Sequence, residues 1–392
     1  MEKPVIVAAR RTAVGRFQGG LSSMTASKLG AEVIKDIIAR TKIDPNEIDE
    51  VIMGHVIQAG MGQNTARQAA IWGGVPVEKG AFTVNKVCGS GLKSVMLAAQ
   101  AIKLGDAQVV IAGGMESMSR APYVLYEARD GYRLGHGKIV DSMVNDGLWD
   151  IYNDFHMGNT GELVAEKYKI PREEQDKYAM GSHQKAVAAQ ERGDFKDEII
   201  PVAIPQKKGD PIIVEKDEGP RKDTTLEALA RLKPAFKKDG TVTPGNASTI
   251  NDGAAAVLVM SETKAKKLGL PVMACIDDYT VAGMEPKWVM MVPVKAVGKL
   301  WEKTKTKVSD YDLYELNEAF AVQAIAVTRE LGLPLEKVNV NGGAVALGHP
   351  IGCSGARVLV TLLHAMKKRG AKRGIASLCL GGANAVAMSV SM

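Results

Sequence analysis

The chain has 392 residues, room for two or three domains at about 150 residues each. Apolar residues make up 46% and charged residues 24%, a globular balance that argues against disorder in a chain long enough to fold without disulfides or metal. Lys and Arg exceed Asp and Glu by 50 to 44, and a net +6 with no long basic run gives no footing for nucleic acid, though it suits an anionic small substrate.

The start, Met1 to Arg10, carries too short an apolar stretch for a signal peptide. No apolar run is long enough to span a membrane. The last four residues, Ser389 to Met392, form no peroxisomal or retention tail. The four cysteines, Cys88, Cys275, Cys353 and Cys379, include no C-x-x-C pair, so reduced thiols in a cytoplasmic setting are expected.

In chain order, Pro4–Ala9 reads as a strand. Residues 26–41 then place Leu29, Val33, Ile34, Ile37 and Ile38 at helical spacing. Val51–Val56 reads as a buried strand, and Phe82–Val87 as a β-like stretch. Leu92–Leu104 is a helix with Leu92, Val95, Met96, Ala99 and Ile102 on one face, and Val109–Gly114 is a strand ending in two glycines. This is α/β alternation.

The second half repeats the plan. Ile48–Gly54 matches Tyr311–Asn317, each an acidic exit, a strand and a polar turn. At nearly equal spacing follow Cys88-Gly-Ser-Gly91 and Cys353-Ser-Gly355, each opening a helix. Each helix leads to a strand and a glycine pair, 109–114 and 375–382. Between Ser119 and Asn251 the rhythm weakens and Pro, charges and aromatics become frequent, which suggests an inserted loop domain. Asp252–Met260 returns to a strand pattern and 261–268 to a short helix. The expected division is 1–118 with 252–270, then 119–251, then 271–392.

Cys88 stands between a β-like stretch and a helix start, where the helix dipole and free N–H groups favour a thiolate. Core packing and nucleophile are equally good readings there. His349 lies in Asn341-Gly-Gly-Ala-Val-Ala-Leu-Gly-His-Pro-Ile-Gly352, a loop costly to order unless its backbone must approach something closely. The other histidines, His55, His136, His156, His183 and His364, suggest no metal site. Cys379 ends a strand before Gly381-Gly382, and alone reads as core. Asn317, in Glu315-Leu-Asn-Glu-Ala-Phe320, reads in isolation as a helix N-cap. Cys275 and Cys353 read as structural.

Taken together, Val84–Leu92, Asn317–Phe320, Asn341–Gly352 and Cys379–Gly382 resemble the four active-site blocks of the thiolase family, in its order and spacing. The resemblance runs from Arg11 to nearly the end of the chain. It implies a five-layered αβαβα fold of two similar halves with an inserted loop domain. It implies condensation of two acetyl-CoA to acetoacetyl-CoA and CoA, and the reverse thiolysis, through an acetyl-Cys88 intermediate. On this likeness Cys88 is the nucleophile, and His349 takes its proton. With a water held by Asn317, His349 also stabilises a thioester oxygen. Cys379 is the acid/base at the α-carbon, and the N–H groups of Cys88 and Gly381 form a second oxyanion site. Leu148, His156, Met157, Arg221, Ser248, Ala319 and Phe320 are implied coenzyme A and acyl contacts. No metal or cofactor is implied beyond the CoA thioesters, and a homotetramer with a contact near 123–137 is expected.

The chemistry needs such a set. A Claisen condensation requires an acyl carrier with a good leaving group, which a cysteine thioester supplies. It also requires loss of a weakly acidic α-proton, so the enolate oxygen needs preorganised donors. Two stretches depart from the family pattern. Gly381-Gly382 is followed by Ala383 and Ala385 where glycines are usual. In 289–296, Met290, Val292 and Lys295 replace two glycines and a proline beside the acyl pocket. These departures motivate two alternatives, a broader-chain 3-ketoacyl-CoA thiolase and a catalytically weak acyl-CoA-binding scaffold.

Overall fold

The computed structural model describes residues 1–392. Its largest sheet runs through nine strands in the order Leu313–Leu316, Arg373–Leu380, Asn384–Ser391, Ala274–Gly283, Pro4–Thr12, Asn251–Ser261, Val109–Ser117, Glu50–Gly54 and Gly80–Val84. Within the sheet the two halves join through two residue pairs, Val5 with Cys275 and Ile6 with Ala274.

The internal repeat appears as matching strand orders on either side of that seam. Glu50–Gly54 lies parallel to Val109–Ser117, as Leu313–Leu316 lies parallel to Arg373–Leu380. The counterpart of Gly80–Val84 is reduced to a single parallel bridge from Tyr314 to Val338. Asn251–Ser261 enters the first half between Pro4–Thr12 and Val109–Ser117, antiparallel to both.

Helices complete five layers. Ala26–Thr41 and Thr65–Trp72 bury Leu29, Val33, Ile34 and Ala69 against one face of the first half. Ser90–Leu104 and Ile351–Arg369 fill the middle, sharing a core that includes Leu92, Val95, Leu359 and Leu363. Val292–Thr304 and Ala321–Glu330 cover the outer face of the second half. The two central helices cross at Gly91 and Gly355. A Cβ on Gly91 would stand 2.6 Å from the Ala356 nitrogen, and one on Gly355 would stand 2.4 Å from that of Leu92. Only glycine admits this approach, which places the two helix N-termini side by side.

The segment 119–251 contains more helix than its composition suggests. Met157–Tyr168 and the long Arg172–Glu191 both pack toward the second half. The buried face of Arg172–Glu191 consists of small or polar residues, Ala179, Ser182, Ala186 and Ala189 among them, so no apolar stripe marks it in the sequence. Asn317 also differs from its isolated reading. The strand ends at Leu316 and the next helix begins at Ala321, so Asn317 caps nothing.

Candidate active site

Cys88 sits on a sharp turn between Gly80–Val84 and the helix Ser90–Leu104. Val87, a β-branched residue, is held at φ 45°, a left-handed conformation costing roughly 1–3 kcal/mol. Hydrogen bonds hold this strain in place. Asn85 Oδ1 accepts from Val87 N at 3.0 Å, and Ser90 Oγ donates to Val87 O at 2.6 Å while accepting from Lys86 N at 2.8 Å. The turn presents the Cys88 sulfur to a cavity of 690 Å³.

The sulfur is not a ready-made thiolate. Burial pushes the Cys88 thiol up to about 12, and the carboxylate of Glu116 adds to the rise. The nearby N–H groups of Gly381 and of Cys88 itself favour the thiolate and oppose the shift without cancelling it. The helix start therefore falls short of ionising the thiol, and a base is required. Burial, then the neighbouring Cys88, raises the Cys379 thiol still further. Cys379 faces Ala385 across an antiparallel pair, so a small side chain stands beside its sulfur.

His349 faces the same cavity. Burial, aided by the Arg357 guanidinium, pushes its imidazole down to about 3, so it is neutral. Its tautomer is set by Ser354. That hydroxyl donates to Pro350 O at 2.8 Å and so must accept from His349 Nδ1, 2.6 Å away. Nε2 is left as the basic nitrogen. The His349 backbone N–H donates to Asn251 Oδ1 at 2.9 Å. Gly348 reaches this position at φ 109°, and a Cβ there would lie 2.5 Å from the Asn251 amide. Gly348→Ala is expected to cost roughly 1–3 kcal/mol of stability. A shift in the denaturant midpoint with unchanged slope checks it.

Cys88, His349, Cys379, Gly381, Leu148, His156, Met157, Arg221, Ser248, Ala319 and Phe320 all line this one cavity. Asn317 does not. It is buried behind His349, with Nδ2 3.5 Å from Nδ1 and Oδ1 without a partner. Met290 and Val289 both form part of the wall, whereas Val292 is buried behind it and Lys295 is exposed on the helix Val292–Thr304. Ala383 takes φ 53° with its side chain fully buried, a strained replacement for glycine that leaves the Gly381 N–H in place.

Several residues of the site escape sequence reasoning. Phe236 stacks on His156, with ring centroids 4.7 Å apart, and meets Phe320 edge-on at 6.2 Å. His183 Nδ1 accepts from the Arg221 backbone N–H at 3.2 Å, and its imidazole is pushed down to about 4 by burial and by Arg221. Glu318 accepts from Tyr178, Ser182, Asn339 and Val345 N, tying the Asn317–Phe320 segment to the start of the His349 loop. Its signal was a second carboxylate in Glu315–Phe320, directly after Asn317. Glu116 accepts from Val56 N, Ile57 N and Gly352 N and lies 3.2 Å from His55 Nε2, which fixes the helix start after His349. No group of three or more His, Cys, Asp or Glu is placed to hold a metal ion, and no helix is long and apolar enough to cross a membrane.

A five-layered fold that brings two cysteines, a neutral histidine and a pair of backbone donors to one cavity defines a class of enzymes using cysteine thiols. The chain matches the family models for Thiolase, N-terminal domain, over residues 4–263 and Thiolase, C-terminal domain, over residues 270–392. It belongs to the thiolase family. It is 58% identical over 391 residues to an acetyl-CoA acetyltransferase of Pseudomonas aeruginosa, covering 100% of both chains. It is 56% identical to one of Cupriavidus necator, covering 100% of this chain and 99% of that one. The crystal structure of the Bacillus anthracis acetyl-CoA acetyltransferase superposes with a TM-score of 0.98 at 47% identity, covering 100% of this chain and 99% of that one.

Proposed function

We propose that the protein is an acetyl-CoA acetyltransferase, condensing two acetyl-CoA to acetoacetyl-CoA and CoA and running the reverse thiolysis. The observation that carries this reading is the convergence of Cys88, Cys379, His349 and Gly381 on one cavity. In the first half-reaction, His349 Nε2 takes the Cys88 proton and the sulfur attacks the acetyl carbonyl. The bond to the CoA sulfur breaks, and Cys379 gives its proton to that departing thiolate. In the second, the Cys379 thiolate removes the α-proton of another acetyl-CoA. The resulting carbanion attacks acetyl-Cys88, the new C–C bond forms, and the Cys88 sulfur leaves and recovers its proton from His349. Cys88 N–H and Gly381 N–H hold the oxygen of the acetyl-enzyme, and His349 with a water held by Asn317 holds the enolate oxygen.

Leu148, His156, Met157, Ser248, Ala319 and Phe320 contact the pantetheine and acyl group. Arg221 and Arg16, exposed at the mouth, supply positive charge for the nucleotide phosphates. No cofactor beyond the CoA thioesters enters these steps. The four cysteines are unpaired, which suits a cytoplasmic enzyme.

Thiolysis of acetoacetyl-CoA beside a longer 3-ketoacyl-CoA tests the reading. The C4 substrate is expected to be preferred by about tenfold or more in kcat/KM, because the bulky Met290 and Val289 stand in the cavity wall. Preference for the longer one favours the broader-chain alternative, and cleavage of neither favours the scaffold.

The segment 119–141 projects Leu134 fully exposed and Tyr123, Tyr126 and Ile139 each about two-thirds exposed around a hairpin of Tyr123–Val124 with Val140–Asp141. The sheet also ends on an exposed edge at Gly80–Val84, with Phe82 outward. These surfaces support a homotetramer. Light scattering is expected to give four chain masses, and a mass near one chain of 41.8 kDa contradicts it.

A further inference from the structure

The turn that carries the Gly381 N–H holds strain much as the Cys88 turn does. Gly381 to Ala383 link the strands Arg373–Leu380 and Asn384–Ser391, which pair at Leu380 with Asn384. Gly382 takes φ 77° and Ala383 φ 53°. Two successive left-handed residues suit a tight β-hairpin, but a Cβ at the second is disfavoured. One side of the turn is held by backbone, where Met284 N donates to Ala383 O at 3.0 Å.

Another side meets the Cys88 turn, and the fit there is close. A Cβ on Gly381 would stand 3.2 Å from Val87 Cγ1, and one on Gly89 would stand 3.2 Å from Val386 Cγ2. Across this contact Lys86 Nζ donates to Asn384 Oδ1 at 3.1 Å, between residues 298 apart in sequence. Asn384 Nδ2 donates in turn to Gly382 O at 3.3 Å. Charge fixes which way the amide points. An ammonium only donates, so it takes the amide oxygen and leaves the NH₂ for the Gly382 carbonyl. Both side chains are half-buried and the bond is charge-assisted, so water competes with it less than on an open surface.

We propose that Lys86 and Asn384 are positioning residues whose hydrogen bond sets the spacing between the Cys88 N–H and the Gly381 N–H. This rests on the reading of those two groups as the oxyanion donors. Neither side chain lines the catalytic cavity, so neither touches substrate. Lys86 stands two residues before Cys88, and Asn384 three residues after Gly381. A donor pair works where both N–H groups meet one developing oxyanion, and loss of a donor costs about 10²–10³-fold in kcat. A pair moved out of register loses part of that.

The test is a double-mutant cycle on the full-length enzyme, with Lys86→Met, Asn384→Leu and the two combined. Both replacements keep side-chain length or shape, and thermal midpoints close to that of the wild type verify the fold. Quenched intact mass gives the rate of acetyl-Cys88 formation from acetyl-CoA. Each single variant is expected to slow it about tenfold, and the double variant also about tenfold rather than about a hundredfold. KM for CoA in thiolysis should stay within about twofold of the wild type. Alkylation of Cys88 by iodoacetamide, followed by peptide mass, needs no turnover. It should slow about threefold in each single variant with no further loss in the double, because a displaced Gly381 N–H favours the thiolate less. A wild type that is alkylated but never acetylated removes the acetyltransferase reading, and the alkylation cycle then decides the role of Lys86 and Asn384 alone. Unchanged rates in either single variant, an additive double variant, or a loss confined to KM overturns the proposal.

Discussion

Cys88→Ser is expected to lower acetoacetyl-CoA thiolysis by about 10⁴-fold while leaving CoA binding and the thermal midpoint nearly unchanged. Burial already pushes the cysteine thiol up to about 12, so even sulfur needs His349 to ionise it. A serine hydroxyl is far less acidic in the same place, and its oxyester is a poorer acyl donor than a thioester. Oxygen and sulfur are similar enough in size that the Val87 turn and the Gly381 N–H remain in place. Steady-state kinetics with a CoA titration separate these effects. A variant retaining a tenth of the wild-type rate would mean that the acyl group does not pass through Cys88.

His349→Ala is expected to lower kcat by about 10³-fold, because it removes a neutral imidazole of the cavity wall whose tautomer leaves Nε2 as the basic nitrogen. It also carries a pH signature in stability. Burial and Arg357 push the folded imidazole down to about 3, against 6.5 for an ordinary solvated histidine. The unfolded chain takes up a proton near pH 6.5 that the folded chain refuses. Stability is therefore intact above about pH 6.5 and declines as pH falls toward 3. The variant loses this component, so its acid-unfolding midpoint moves to lower pH, while His183, also depressed, still contributes. An unchanged acid midpoint would mean that His349 is protonated in the folded state.

Much of the frame was legible because it rests on periodic burial. Ala26–Thr41 appears as a helix at the bounds its apolar spacing gives, and the repeat of Ile48–Gly54 in Tyr311–Asn317 appears as two strands at matching places in the sheet. Arg172–Glu191 was hidden because it packs through alanine and serine, which carry no hydropathy signal. The site was legible as blocks of residue types, since glycine, cysteine and histidine in those runs have few other uses. What the blocks could not show was electrostatics and strain. A helix start suggested a Cys88 thiolate, yet desolvation outweighs the N–H groups. The positive φ of Val87 has no sequence signature, since a β-branched residue is among the least suited to it. Phe236, Ser354 and Asn251 act through partners distant in sequence or through a hydroxyl's single proton, and neither is visible without coordinates.

The most direct test of the account is the intact mass of the protein after brief mixing with acetyl-CoA in the absence of free CoA. The account predicts one added acetyl group, about 42 Da, mapped to the Cys88 peptide, removed by added CoA and absent from Cys88→Ala. An unmodified wild type, or the same adduct on Cys88→Ala, would contradict it.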